Sequence, residues 1–289
     1  MRAAGRPYVA LAAAVVCISF GSILVRLAAA PPLAVSFYRV FLASLFLAPF
    51  AAPGLRRHWA RLPRRERLLL AASGVALAVH FATWIASLSY TSVASSVLLV
   101  NTTPLFTLGL SRVFLGESVP GVVAGAIAGA MAGATLIAVG DWAAGSDSLL
   151  GDALAMAGAV TLSAYHIIGR GLRHAMPLGA YLFAVWAAAA GVLALVAATA
   201  AVPLTGYPAR TVGVLVALAV VPTLCGHGLV NRALRALPAP TVSLFLLGEP
   251  VGATILAYAV FGETPSAWTL AGGAVVLAAL AVVVRSGIP

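Results

Sequence analysis

The stretch from Thr241 to Glu263, TVSLFLLGEPVGATILAYAVFGE, echoes an earlier one from Ser95 to Glu117, SSVLLVNTTPLFTLGLSRVFLGE. Pro104 and Pro250 lie 146 positions apart, as do Gly116 and Gly262, and Glu117 and Glu263. The same offset relates Pro31 to Pro177 and Gly5 to Gly151. Alanine coincidences carry no weight in so alanine-rich a chain, but shared prolines and two of only four glutamates do. The chain is one half written twice, and a repeat of that length constrains the fold more than any single motif. The halves fall at residues 1–147 and 148–289 and are expected to form one integral bundle.

Of the 289 residues, 62% are hydrophobic and 8% charged, with a mean hydropathy of +1.07. No soluble domain covers its surface with so little charge, so the solvent for most of the chain is lipid. A helix crossing the hydrocarbon core needs about 20 apolar residues. Ten segments qualify: Tyr8–Ala28, Leu33–Ala52, Leu68–Leu88, Thr91–Leu115, Val119–Gly140, Leu149–Gly169, Leu178–Val202, Thr211–Val230, Ala239–Phe261 and Ala267–Val284. Turn chemistry separates them at Pro31-Pro32, Pro53-Gly54, Gly145-Ser146, Pro177, Pro203 and Pro238. The alternating ten-residue runs of a membrane barrel are absent, so the expectation is an all-α integral membrane protein of ten transmembrane helices. Arg2 and Arg6 precede the apolar run Tyr8–Phe20 without a small-residue cleavage site after it, which reads as a retained first span.

All seventeen basic residues are arginine, and they sit between the apolar runs. That placement signals topology; a nucleic-acid-binding surface would need them on one soluble face. With the amino terminus inside, fourteen of the seventeen fall on the inner side, Arg26 and Arg210 on the outer, and Arg39 within the second span. Both termini are therefore expected in the cytoplasm. The block RRHWARLPRRER after span two reads as topogenic, with contact to anionic lipid as its alternative. Five spans per half is an odd number, so the second half enters the membrane from the opposite side and the repeats are inverted. Secondary transporters commonly use this arrangement, with the solute site near midplane where the halves meet. Cys17 and Cys225 lie in apolar runs without ligand neighbours and read as small buried hydrophobes. No HExxH, GxSxG or GxxxxGK[ST] pattern is present, so neither an intramembrane enzyme nor an ATP-driven pump is expected. A channel remains the other class, and the matched prolines of the two halves favour a carrier over a fixed pore.

FGSILVRLAAAPPLAVSFYRVFLAS at 20–44 and SYTSVASSVLLVNTTPLFTLGLSRVFLGE at 89–117, with AYHIIGR at 164–170 and RALPAPTVSLFLLGEPVGATILAYAVFGE at 235–263, resemble the EamA-type branch of the drug/metabolite transporter superfamily. The resemblance covers nearly the whole chain and is greatest to the YddG-type bacterial exporters of aromatic and other amino acids. It implies ten spans in two five-helix repeats, export of small metabolites across the cell inner membrane, and no bound cofactor or metal. Two places depart from the pattern. Arg26 stands where many relatives carry lysine, and Gly248-Glu249-Pro250 faces Thr102-Thr103-Pro104.

Pro104 and Pro250 each remove a helical hydrogen bond at matching points of spans four and nine, as hinges or as static kinks. Glu249 is the carboxylate placed deepest in a span. It either faces a solute's ammonium or exchanges a proton, or it is locked in a structural pair with Arg39. Arg39, next to Tyr38, can tie helices together or take a carboxylate in bidentate fashion. His80 and Trp84 lie one turn apart on span three and share a face suited to an aromatic solute; the alternative is a hydrogen-bonded interior histidine beside a packed indole. Asn101, Tyr165-His166, Trp186, His227 and Ser243 are further polar or aromatic breaks that either touch solute or bridge helices. Gly121, Gly125, Gly129 and Gly133 form a smooth stripe for packing, and Glu117 and Glu263 are expected to cap helices or pair with arginine. The expected partners are a small-molecule substrate, amino acids foremost, and membrane lipid; ten spans can enclose a cavity within one protomer.

Overall fold

The computed structural model describes residues 6–115, 121–144, 146–172, 176–233, 246 and 248–285, and among these there are helices and connections but no strand. Helix α1 runs Arg6–Leu27, α2 Pro32–Trp59, α3 Arg64–Ser87, α4 Val93–Val100, α5 Thr103–Leu115, α6 Gly121–Ala144, α7 Ser146–Leu172 and α8 Leu178–Thr199. Helix α9, Ala209–Leu218, passes into a π-helical segment, Ala219–His227, and then into α10, Gly228–Ala233. Helix α11 is Gly248–Phe261 and α12 is Ala267–Arg285. Among the described residues, six stretches are long and apolar enough to cross a bilayer: Val9–Leu27, Pro32–Trp59, Arg64–Ser87, Ser148–Gly169, Leu178–Thr199 and Ala209–Val230. Val93–Thr107, Ala124–Gly140, Gly248–Phe261 and Ala267–Ala279 are shorter apolar helical stretches.

Proline starts helices here. Pro31, Pro63, Pro177 and Pro208 stand immediately before α2, α3, α8 and α9, each with extended ψ. A missing N–H costs nothing at that position, because the first amides of a helix have no intrahelical acceptor anyway. Three expectations need correction. Span two does not stop at Pro53-Gly54: α2 continues to Trp59 with Pro49 and Pro53 inside it. The extension packs on the start of α8, where a Cβ built on Gly54 would lie 3.8 Å from Ala180 and one on Gly179 would lie 3.8 Å from Ala51. The His58 ring also donates to the Gly54 carbonyl at 2.8 Å near the helix end. Span four is broken at Asn101-Thr102 into α4 and α5, so Pro104 sits in the first turn of α5, and Pro250 sits likewise near the start of α11. Hydroxyls close the break: Thr102 donates to the Leu99 carbonyl at 2.6 Å, Thr103 to Val100 at 2.7 Å and Ser163 of α7 to Thr103 at 2.9 Å. Irregular backbone at membrane depth requires such internal partners. Span eight is not a plain α-helix, because the π segment interrupts it around Pro222.

Two pairs of helices that correspond at the 146-residue offset pack against each other in opposite directions. On α6 and α12 the approaches pair Gly129 with Ala279, Gly133 with Gly272 and Gly140 with Trp268, so numbers rise on one helix as they fall on the other. On α2 the later residues Ala51 and Gly54 meet the start of α8 at Gly179 and Ala180, while the earlier Tyr38 reaches Leu204, just beyond the end of α8. Helix α3 packs on α7 and α8, and its counterpart, α9 through α10, packs on α1 and α2. Lipid supplies no hydrophobic drive between helices, so close backbone approach holds them. A Cβ on Gly74 would lie 2.5 Å from that of Ala188, and one on Gly226 would lie 2.6 Å from Ile18 Cγ1. Of the predicted glycine stripe, Gly129 and Gly133 meet α12, whereas Gly121 and Gly125 face open space.

The repeated Gly-Glu pair gains a physical reason from its second copy. Gly262 has φ +68°, a left-handed value that closes α11 with its own N–H on the Tyr258 carbonyl at 2.9 Å. That turn presents Glu263 to two partners: Oε1 accepts from the Val93 amide at the start of α4 at 2.6 Å, and Oε2 pairs with Arg26 at the end of α1. The carboxylate thus neutralises a cation and caps a helix amino terminus together, as expected of it. Gly116 and Glu117, the first copy, lie outside the described residues.

Candidate functional site

Arg39 is 1% exposed on α2, in the middle of the bundle. Its Nε donates to Thr223 Oγ1 at 3.0 Å, and its Nη2 lies 3.2 Å from His227 Nε2. A guanidinium only donates, so His227 Nε2 accepts and the imidazole proton of the neutral ring is on Nδ1. Thr223 passes its own proton to the Leu218 carbonyl at 3.0 Å, five residues back, which is the spacing of the π segment. Without that extra residue per turn the hydroxyl would stand elsewhere; π segments recur at functional sites for this reason.

Aromatic rings complete the enclosure. Arg39 Cζ lies 4.4 Å from the centre of the Phe81 ring and 5.3 Å from that of Trp84, both on α3. Phe81 and His227 are 146 positions apart, so equivalent places of the two halves grip one guanidinium. On the α1 side Gly21 leaves room: a Cβ there would lie 3.9 Å from Arg39 Nη1, 3.6 Å from Trp84 Cη2 and 3.7 Å from Pro222 Cβ. Three buried polar atoms have no hydrogen-bond partner among the described residues in this part of the fold: Arg39 Nη1, Trp84 Nε1 and, on α1 beside Gly21, Ser22 Oγ. Among the described residues the one ion pair in direct contact is Arg26 with Glu263; no carboxylate is bonded to Arg39, and Glu249 acts on its charge from a distance.

The predicted pair His80 and Trp84 is brought together beside Arg39. Their rings are stacked with centroids 6.1 Å apart and an interplanar angle of 3°. His80 Nδ1 lies 2.9 Å from the Gly158 carbonyl on α7 and therefore donates to it. Asn101 and Glu249 form a second group: Asn101 Nδ2 donates to the Val97 carbonyl at 2.9 Å and to Glu249 Oε2 at 3.4 Å. Glu249 and Arg39 are not in direct contact, because the arginine's bonded nitrogens turn to the π segment and the carboxylate turns to the break between α4 and α5, but the two charges act on each other across space. Glu249 also stands in the first turn of α11, where the helix dipole favours a negative charge.

The other candidates lie elsewhere. The Tyr38 hydroxyl donates to the Leu204 carbonyl, with its ring edge-on to Tyr207 at 6.2 Å, so it points to the α8–α9 connection and away from Arg39. Tyr165 and Trp186 are buried in the main apolar core, Tyr165 tilted against His166 at 5.3 Å. Ser243 lies outside the described residues. Phe81, Thr223 and Gly21 were not foreseen. Two signals pointed to them: Pro222 inside an apolar run marks irregular backbone, and the 146-residue offset carries His227 onto Phe81.

Comparison with known proteins follows the same two halves. The family described as "EamA-like transporter family" matches residues 6–139 and again 149–285. A solved structure described only as "Crystal structure of protein" is 20% identical, with 96% of each chain covered and a TM-score of 0.65, which shows a shared fold. None of the curated proteins matches the chain.

Proposed function

This chain belongs to the EamA-like transporter family and is therefore a multi-pass membrane protein that carries small solutes, and from that premise we propose a secondary exporter of amino acids, aromatic ones among them. In this reading ten spans form two inverted five-helix repeats that rock about the Arg39 cluster, exposing it to each face of a bacterial inner membrane in turn, with both termini in the cytoplasm. The observation that carries it is the grip of positions 81 and 227 on one buried guanidinium, because a group held by equivalent elements of both halves feels any movement of one against the other. The opposed directions of α6 and α12, and of α2 and α8, support the inversion. Pro104, just after the break at Asn101-Thr102, and its counterpart Pro250 on α11 act as hinges.

His80, Phe81 and Trp84 offer apolar faces for an aromatic side chain, and Glu249 with Asn101 offers acceptors for an ammonium group. The buried positive charge of Arg39 weighs against a drug-like cation as the main cargo. Purified protein in liposomes tests the proposal with a panel of amino acids, sugars and cations, with and without a pH gradient. Saturable uptake of amino acids, accelerated by the same solute on the far side, is expected. Unsaturable flux, or movement of cations alone, would overturn it.

A further inference from the structure

Arg39 is a cation sealed in the bundle with no carboxylate bonded to it; Glu249, held by Asn101, acts on its charge only across space. Its Nε and Nη2 are taken by Thr223 and His227, which are neutral acceptors, and its faces by Phe81 and Trp84. Burying a charge at membrane depth is costly unless a counter-charge accompanies it, and each buried donor left unpaired adds to that cost. Arg39 Nη1 and Trp84 Nε1 are two such donors on neighbouring groups, 1% and 4% exposed. Gly21 opposite them presents bare backbone, so no side chain of α1 occupies the space beside Nη1.

A hollow of about 310 Å³ opens at the end of the bundle where α1 terminates, with Arg26, Val35, Ile85 and Leu88 among its lining residues. Val35 stands one turn before Arg39 on α2, and Ile85 follows Trp84 on α3, so the hollow adjoins the helix segments that carry the two donors. A second arginine, Arg26, lines it and is paired with Glu263.

We infer that the site takes the solute's carboxylate, received by the two unpartnered donors Arg39 Nη1 and Trp84 Nε1. The inference rests on the carrier reading for its purpose and narrows that reading to one recognised group. The usual two-nitrogen clamp of an arginine end is not available, because Nη2 is committed to His227; selectivity comes from the mixed pair of guanidinium and indole. The solute's apolar part lies against the Phe81 and His80 rings, and an ammonium group is not required.

Isothermal titration of the full-length protein in lipid nanodiscs tests this with three probes of one shape: phenylalanine, 3-phenylpropanoate and phenethylamine. The two carboxylates are expected to bind and the amine, which lacks that group, to bind at least tenfold more weakly. Trp84→Phe keeps the ring and removes only the N–H, and should weaken both carboxylates about tenfold while leaving thermal unfolding unchanged. Arg39→Lys should weaken them further, and if that variant fails to fold, Trp84→Phe still decides. Equal binding of phenethylamine, unaltered carboxylate binding in Trp84→Phe, or no binding of either carboxylate overturns the inference. Flux in liposomes separates it from the carrier reading. Carboxylates that bind and do not cross sink the carrier and keep the site, whereas phenylalanine and its amide crossing with equal kcat/KM keep the carrier and sink the site.

Discussion

Replacing Gly272 by alanine tests the close crossing of α6 and α12. A Cβ at Gly272 would lie 2.5 Å from the Gly133 carbonyl oxygen, 2.8 Å from Ile137 Cγ1 and 3.0 Å from the Ile137 amide nitrogen. Two of these three obstacles are backbone, so no side chain can rotate to relieve them, and α6 and α12 must move apart. Overpacking of this kind costs about 3 kcal/mol, the upper part of its usual range. Alanine repays about 1 kcal/mol through its better helix propensity, leaving a net loss of about 2 kcal/mol. Gly125→Ala is the matched control. It lies on the same glycine stripe with nothing within 4 Å of its would-be Cβ, and should gain up to about 1 kcal/mol. Unfolding in mixed micelles titrated with a denaturing detergent should therefore separate the two variants by about 3 kcal/mol. If Gly272→Ala unfolds together with Gly125→Ala, the helices are not in contact where the opposed arrangement of the two halves requires it.

Three other substitutions probe the cluster and its surroundings. Thr223→Val strips Arg39 Nε of its acceptor and should cost about 2 kcal/mol in the same unfolding assay, with Thr223→Ser restoring it. Glu263→Gln keeps an acceptor for the Val93 amide and removes the charge facing Arg26; both side chains are partly exposed, so the loss should be about 1 kcal/mol or less and should vanish in high salt. Pro104→Ala occupies a first-turn position whose N–H needs no intrahelical acceptor, so stability should stay within about 0.5 kcal/mol. Liposome flux should nevertheless slow, and transport at the wild-type rate would remove the hinge.

Duplication, helical class and the role of Glu263 were legible because each is written in residue types with few alternatives. A glycine followed by glutamate at the end of an apolar run has one economical use, and Gly262-Glu263 is used that way. Helix limits were less legible where packing outweighs local preference. Pro53-Gly54 reads as a turn, yet α8 supplies enough contact along Ala51 and Gly54 to carry α2 past it. The cluster was half legible: Arg39, His80 and Trp84 stand out as polar or amphipathic breaks in apolar runs. Thr223 did not, since a threonine in a membrane helix ordinarily bonds its own preceding turn, and only the π register turns its oxygen to Arg39. Tyr38 turns to Leu204, away from Arg39, because sequence neighbours on a helix point about 100° apart.

The duplicated halves share their frame and differ in their chemistry. Position 39 holds arginine where its counterpart 185 is valine, and 80 and 84 hold histidine and tryptophan where 226 and 230 are glycine and valine. Gly226 in turn lets the π segment close on Ile18 of α1, so the second half contributes backbone proximity where the first contributes side chains. A strictly symmetric pair would bury two guanidiniums, and each would need its own anion. One arginine gripped by both halves, with Glu249 acting on it only from a distance, keeps a desolvation cost that discriminates between solutes: a carboxylate received by Nη1 lowers it, and a solute without one leaves it standing. The departure from symmetry is thus what allows a symmetric frame to recognise one molecule at a time.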